Sequence, residues 1–433
     1  MDKQMNLLDI DVKEAALGFG DDEWDPPSSF PDLTGYDRIA IDLETRDPNL
    51  MKLGPGWCRD DGYVIGYAVA AGDFVGYYPV RHEEGNLPEK LVVNWLKKHM
   101  ATPKIEKVMH NAMYDLGWMR WAGIEVQGPI IDTMIAAPLL NENRRFYNLN
   151  SLTGEYLGEY KNEKMLKAAA AMYHVDPKSD MWRLPSKFVG SYAEQDAAVT
   201  LRLWDRLRVD IKKDEVTSIF ELESSLLPVL LEMKTKGVRV DIDGAEQIQI
   251  ELSKREKELL KEIRSDTGVS IEPWSAASVA KAFDALGLKY HRTENSNAPS
   301  FTKQFLSNHT HPIAQKIVKL REFNKANTTF VETILEHSCN GRIHCDFNPL
   351  RSDEGGTVTG RFSSSHPNLQ QIPARDPEIK SMIRGLFIPE EGTKWGSFDY
   401  ASQEPRWLAH YCAQLTGVHR HPQIDSVIDM YQQ

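Results

Sequence analysis

Apolar and polar residues alternate from Asp37 to Leu43, which predicts a buried strand. Gly62 to Val80 predicts two more strands, turning around Ala71-Gly72-Asp73, a hairpin signal. From Pro88 to Met100 the spacing becomes helical, with Leu91, Val92, Trp95 and Leu96 apolar. A short strand is expected over Lys107 to His110 and a helix over Ala112 to Trp121. Leu149 to Arg208 reads mostly as helix. Strands interleaved with helices in this way predict an α/β domain. Residues 1–35 precede it; they are acidic and Pro-rich, lack periodicity and read as a tail.

The pattern changes after Ile211. Long charged helices are expected over Thr217 to Lys236 and Ile242 to Arg264, their charge runs being solvated faces. A polar loop, Arg292 to Pro299, interrupts them, and another helix runs from Ile313 to about Leu335. From Gly341 strands and turns return, punctuated by Gly355-Gly356 and Thr359-Gly360. The 433 residues exceed one domain of roughly 100–200 residues. The expected divisions are 1–35, 36–208, 209–340 and 341–433.

Composition narrows the classes. No run of apolar residues is long enough for a membrane span, and the first 33 residues hold no apolar signal segment. Cys58, Cys339, Cys345 and Cys412 form no CxxC pair, so neither a zinc site nor a disulfide framework is expected, and a reducing cytosol fits. The net charge of −12 argues against a uniformly basic nucleic-acid binder, but acidic residues gathered at a metal site would give the same total.

Three spacings suggest such a site. Asp42 and Glu44 lie two apart on a strand, so both carboxylates share one face while Ile41 and Leu43 point to the core. Asn111 and Asp115 are spaced i,i+4 at a strand-to-helix junction, and Tyr192 and Asp196 repeat that spacing. Adjacent carboxylates repel unless a cation lies between them, and a hard divalent ion with oxygen ligands suits. Each pair alone is more often structural than catalytic; their order and contexts change that. Together they resemble the tyrosine-bearing branch of the DEDD exonucleases over residues 36–208, as does Ile131-Asp-Thr133 followed by Leu149 to Leu152. The resemblance implies an α/β ribonuclease H-like fold. It also implies two Mg²⁺ or Mn²⁺ ions held by Asp42, Glu44, Asp115 and Asp196, and single-stranded 3′ ends as substrate, with Asn111 a DNA contact. Tyr192 would orient the attacking water, since a phenol with a pKa of about 10 is a poor base.

The last third carries longer strings. Thr359-Gly-Arg-Phe-Ser-Ser-Ser-His-Pro-Asn-Leu-Gln-Gln-Ile-Pro373 resembles the primer–template motif of family A DNA polymerases of bacterial and phage type. Arg361 suits a phosphate, and the amides of Asn368 and Gln370 suit minor-groove acceptors shared among base pairs. Trp395-Gly-Ser-Phe-Asp-Tyr-Ala-Ser-Gln-Glu-Pro-Arg406 resembles motif A of that family, a strand ending in a metal-binding aspartate, here Asp399. The resemblance places Tyr400, Glu404 and Arg406 near the incoming nucleotide. The Ala401-Ser402-Gln403 shift and Pro405 depart from the pattern. Glu223 to Asp241 resembles the entry to the family's thumb, with Gly237 as a helix-ending glycine, and Arg321, Lys325 and Thr329 recur along a later helix. A mainly helical thumb and a partial α+β palm are therefore expected.

The family also uses a fingers helix rich in Arg and Lys and a second palm aspartate. Residues 410–433 contain no such Arg/Lys helix and no His-Asp-Glu motif to carry that aspartate. Phosphoryl transfer needs metals and cationic clamps together, so one aspartate is insufficient. The expectation is that a second polypeptide supplies the fingers and remaining palm. A self-sufficient single-strand nuclease and a non-catalytic assembly subunit are the alternatives.

Overall fold

A computed structural model describes residues 24–353, 355–374 and 376–416. Two compact units meet between Ile388 and Pro389. The first begins with a five-stranded mixed sheet in the order β3-β2-β1-β4-β5. Strand β1 (Arg38–Arg46) is central; β2 (Tyr63–Ala71) pairs with it antiparallel, and β3 (Phe74–Pro79) closes the expected hairpin. On the other side β4 (Glu106–Met109) and β5 (Ile130–Asp132) run parallel to β1. Helices α1 (Glu89–Met100), α2 (Ala112–Trp121), α3 (Thr133–Leu140), α4 (Leu149–Tyr156) and α5 (Lys164–Tyr173) connect and cover it.

The long helix α6 (Gly190–Lys213) lies across β1, β2 and β3. Small Ala193 and Ala197 let it approach, and Leu203, Trp204 and Leu207 fill the space beyond. Each large apolar side chain buried there stabilises the layer by about 1.5–3 kcal/mol. This is the α/β architecture expected from strands interleaved with helices.

Residues 24–35 depart from the expected tail; residues 1–23 lie outside the described residues. Trp24 packs on Tyr77 with ring centroids 5.9 Å apart, and Phe30 stacks on Tyr78 at 5.5 Å. The Trp95 indole donates to the Pro31 carbonyl at 2.8 Å, and Leu33 is fully buried. Two aromatic residues and a leucine in a Pro-rich stretch make a strap without any periodicity. The strap's indole fills the space above Gly190, where a Cβ would lie 2.1 Å from Trp24.

The next helices are α7 (Thr217–Lys236) and α8 (Ile242–Thr267), joined through the two-residue strand β6 (Val238–Arg239). Gly237 has φ 61°, and a Cβ there would lie 2.7 Å from the His344 imidazole, so glycine ends α7 as expected. Asp241 caps α8 by accepting from the Gly244 N–H at 2.9 Å. The polar loop contains a small hairpin, β7 (His291–Arg292) with β8 (Pro299–Ser300). The later helix is broken in mid-course: α9 (Pro312–Lys325), a π-turn over Ala326–Val331, then α10 (Glu332–His337). Arg321 on α9 donates to the carbonyls of Pro273 at 2.7 Å and Phe301 at 2.6 Å, so it ties loops to a second apolar core.

Beyond it, β9 (Ser338–Cys339) and β10 (Arg342–Ile343) join β6 in a small sheet. Strand β11 (Asp346–Asn348) pairs with β12 (Ser363–Ser365), which enters the primer–template-like string. Helix α11 (Pro377–Arg384) closes a third core.

The second unit, from Pro389, differs from expectation. Trp395 to Asp399, expected as a strand ending in Asp399, forms no strand among the described residues. Helix α12 (Gln403–Thr416) follows, and Pro405 sits in its first turn, where the missing N–H costs nothing. Trp395, Phe398, Tyr400, Trp407, Leu408 and Tyr411 are exposed.

Candidate active site

The second half of β1 carries Asp42 and Glu44 on one face, as the period of two requires, and a bulge between Glu44 and Thr45 bends the strand just beyond them. Helix α6 supplies Tyr192 and Asp196 one turn apart. One carboxylate oxygen from each of Asp42, Glu44 and Asp196 lies within 4.8 Å of the others. Asp115, the fourth predicted carboxylate, stands outside that trio. It is buried beside Asp42, and its Oδ1 accepts from the Leu43 N–H at 3.1 Å, pinning α2 to β1.

Asp132 sets the start of α2. Its carboxylate accepts from the backbone N–H groups of Asn111 at 3.0 Å, Ala112 at 2.8 Å and Met134 at 2.8 Å. These bonds hold Asn111 in the left-handed region, φ 70°, and aim α2 so that Asp115 meets β1. Burial raises Asp132 to about 6 despite them. The sequence reading took Ile131-Asp-Thr133 only as part of a resemblance; three hydrogen bonds give it a physical role.

Lys161 was missed. Its ammonium donates to Asp196 Oδ2 at 2.5 Å and lies 5.4 Å from the Tyr192 ring. Burial alone would lower its pKa, but Asp196, Asp42 and Glu44 outweigh that and raise it. No spacing in the sequence marks Lys161, because it comes from the connection between α4 and α5. An acidic trio demanding a cation was the available clue.

The acids remain short of positive charge. Burial and the Asp196 carboxylate push Asp42 up to about 7. Burial, then Asp42 and Asp196, hold Glu44 well above the usual range; burial and Asp42 do the same to Asp115. Burial raises Asp196 too, against Lys161. Asp196 Oδ1 is buried and has no hydrogen-bond partner among the described residues. Three clustered carboxylates against one ammonium, with an orphaned oxygen, fit a hard divalent cation. Burial, then the same three acids, raise the Tyr192 phenol far above its ordinary value, so it stays protonated and keeps a hydrogen to donate.

Strand β1 also carries a cation–aromatic stack. Arg46, two residues beyond Glu44, lies 5.3 Å from the Trp182 ring and 5.7 Å from that of Tyr63.

The primer–template-like string is ordered by its own side chains. Asn368 accepts from the Gln370 N–H at 3.0 Å and from the Ser364 hydroxyl at 3.2 Å. The Gln370 amide donates to the Phe362 carbonyl at 2.9 Å. The Arg361 carbonyl accepts from Thr357 at 2.8 Å. The amides expected to read a minor groove are thus engaged within the loop. Asp399, Tyr400, Glu404 and Arg406 all lie in the second unit, Asp399 on the segment that forms no strand.

Comparison with known proteins agrees with this layout. A family described as 3′-5′ exonuclease matches residues 29–212, and DNA polymerase family A matches residues 242–419. A DNA-directed DNA polymerase of Pseudomonas phage M6 is 39% identical over 90% of this chain and 61% of its own length. DNA polymerase DpoZ of Vibrio phage phiVC8 is 32% identical over 81% of this chain and 59% of its own. The POL domain of Pol1 from M. smegmatis, solved with DNA primer-template and dNTP, shares the fold with a TM-score of 0.66 at 23% identity, over 87% of this chain and 60% of that one. The chain therefore spans about three fifths of the phage relatives it matches.

Asp42 and Glu44 on the central strand of such a sheet, with Asp196 brought to them by α6, fall in the stretch that matches the 3′-5′ exonuclease family. Residues 242–419 belong with DNA polymerase family A, and the chain as a whole is similar to phage DNA polymerases.

Proposed function

We propose that this chain is the proofreading exonuclease, thumb and first palm portion of a family A DNA polymerase, and that its acidic cluster removes nucleotides from single-stranded 3′ ends. The observation that carries this is the convergence of Asp42, Glu44 and Asp196, with Asp115 beside them and Lys161 paired to Asp196. The four acids would hold two Mg²⁺ or Mn²⁺ ions. When bound, such ions supply a nucleophile and stabilise charge on the leaving oxygen. The protein's own part is positional. Protonated Tyr192 donates a hydrogen bond and orients water, Lys161 faces the anionic substrate, and Arg46 between Tyr63 and Trp182 offers a phosphate contact flanked by rings on which bases stack.

In this reading residues 36–208 form the exonuclease, 209–340 the thumb and 341–433 the palm portion. Asn111 contacts the single strand. Arg361, Asn368 and Gln370 meet primer–template, and Tyr400, Glu404 and Arg406 meet the nucleotide. Asp399 binds metal once its segment is paired into a sheet. Fingers and the second palm aspartate come from sequence beyond these residues, on the same polypeptide or a second one, and the protein works in the cytosol. Among the described residues no helix is long and apolar enough to cross a membrane.

The test is digestion of end-labelled single-stranded DNA with Mg²⁺ or Mn²⁺. Loss of nucleotides from the 3′ end, abolished by chelation, is expected. An intact 3′ end would overturn the exonuclease assignment. Adding a polypeptide with the fingers and remaining palm should give primer extension that Asp399→Ala abolishes. Extension unaffected by that substitution would remove Asp399 from the proposal.

A further inference from the structure

The loop between β11 and β12 reaches the exonuclease sheet's surroundings and fastens there. Asp353 accepts from the Tyr147 N–H at 2.7 Å through Oδ1, and through Oδ2 from the Asn148 N–H at 2.9 Å and the Asn148 amide at 2.8 Å. Three residues earlier, Leu350 packs against the core of the exonuclease sheet. The attachment lies close to the acidic site. His110, which precedes Asn111, sits against the Tyr147 backbone and feels the Asp353 charge. At its other end the loop is tied to the primer–template string. Gly356 N–H donates to the Ser363 hydroxyl at 3.1 Å, and Asn348 donates to Ser363 and Ser365, each at 3.3 Å. The base of the hairpin also comes close to the exonuclease side: a Cβ on Gly54 would lie 2.6 Å from the Asp346 carboxylate and 2.9 Å from His366.

We propose that Asp353 is a specificity-determining positioning residue: it braces the hairpin that enters the primer–template string against the exonuclease domain, and thereby sets how far a primer must fray before its 3′ end is cut. This rests on the exonuclease reading above. A duplex held by the string and a single strand held by the acids must share one primer. If the distance between the two is fixed, the number of nucleotides that must unpair is fixed too. Asp353 is solvent-exposed, so water competes for its hydrogen bonds and the brace can open and re-form.

The experiment compares the 433-residue protein with Asp353→Ala and Asp353→Asn on three probes: a single-stranded oligonucleotide, a fully paired primer–template and one with a mismatched 3′ end. Asp353→Ala should leave the single-strand rate unchanged and raise the paired-end rate relative to it by about 2- to 30-fold, the range of mutations that alter coupling between sites. Asp353→Asn keeps one acceptor oxygen and should fall between. Hydrogen exchange supplies a readout independent of activity. A brace loses protection both at Tyr147–Asn148 and at Ser363–Gln370 in Asp353→Ala, whereas a simple helix-end contact loses it at Tyr147–Asn148 alone. An unchanged paired-to-single ratio, or exchange confined to the first segment, overturns the brace. Absence of single-strand digestion by the unaltered protein instead sinks the exonuclease reading, and the exchange pattern still decides the brace.

Discussion

Acids at two places in the first unit face opposite situations. Around Asp42, Glu44, Asp115 and Asp196 negative charge accumulates faster than positive charge, and every one of these carboxyls is shifted upward. At Asp346 the balance is reversed. The Lys234 ammonium, itself buried, pairs with one oxygen, and His366 Nδ1 lies 2.8 Å from the other. Burial pulls Asp346 upward, yet these two partners outweigh it and hold the carboxyl below its usual range. Both arrangements cost desolvation. Only the second is satisfied by the protein itself. A folded chain that keeps an unsatisfied acidic group in its interior sacrifices stability there, and such sites concentrate at places of function. Asp346 belongs to structure for the same reason that it is quiet: its charge is already spent.

The comparison breaks if the unsatisfied group can be removed at a cost in stability. Asp42→Ala with Glu44→Ala should lower exonuclease turnover by more than about 1,000-fold through loss of metal ligands. The metal-free melting temperature should hold or rise, since repulsion among the acids is relieved. Activity in this double variant near that of the unaltered protein, or a collapse in melting temperature, would place the acids among structural groups.

A smaller effect is expected within the same site. Tyr192→Phe keeps the ring against Lys161 and removes the hydroxyl. Turnover should fall by about 10- to 1,000-fold, the scale of one positioned polar group, while Mn²⁺ affinity measured by calorimetry stays close to that of the original. Equal turnover would leave Tyr192 a packing residue.

The satisfied acid gives the third and smallest change, in stability alone. Asp346→Asn should destabilise by about 1–3 kcal/mol at neutral pH by breaking its charged hydrogen bonds. The sign follows from its lowered pKa. Folded Asp346 holds its proton less tightly than the unfolded residue, whose pKa is about 3.9. Its contribution is therefore present in full above that value and lost as pH falls through the folded one. Melting curves of the two proteins should lie furthest apart near neutrality and converge below about pH 4. A gap independent of pH would assign the loss to packing.

Sequence reading reached the parts whose chemistry is local. Alternation placed β1 to β3, and a period of two or four put Asp42 with Glu44 and Tyr192 with Asp196 on shared faces. The boundaries of α2 and α7 coincide with the expected ones. What it missed depends on residues far apart in sequence. Lys161 meets Asp196 across 35 positions, Asp132 meets Ala112 across 20, and Asp353 meets Tyr147 across 206. None has a spacing rule. The strap over residues 24–35 was hidden for another reason: aromatic anchors in a Pro-rich segment have no period to detect. The opposite error occurred at Trp395 to Asp399, where a string like motif A suggested a strand and none forms among the described residues.

The strap has a consequence for how such a sequence can drift. The Trp24 indole occupies the volume that any side chain at position 190 would claim, with the nearest ring atom 2.1 Å from a Cβ built there. Two positions 166 apart therefore behave as one inherited unit. A lineage that trades Trp24 for a smaller residue opens room at position 190, and one that gains a side chain at 190 must already have given up the indole. The order of those two changes is fixed, because the reverse order passes through a chain whose strap no longer fits against the helix that carries Tyr192.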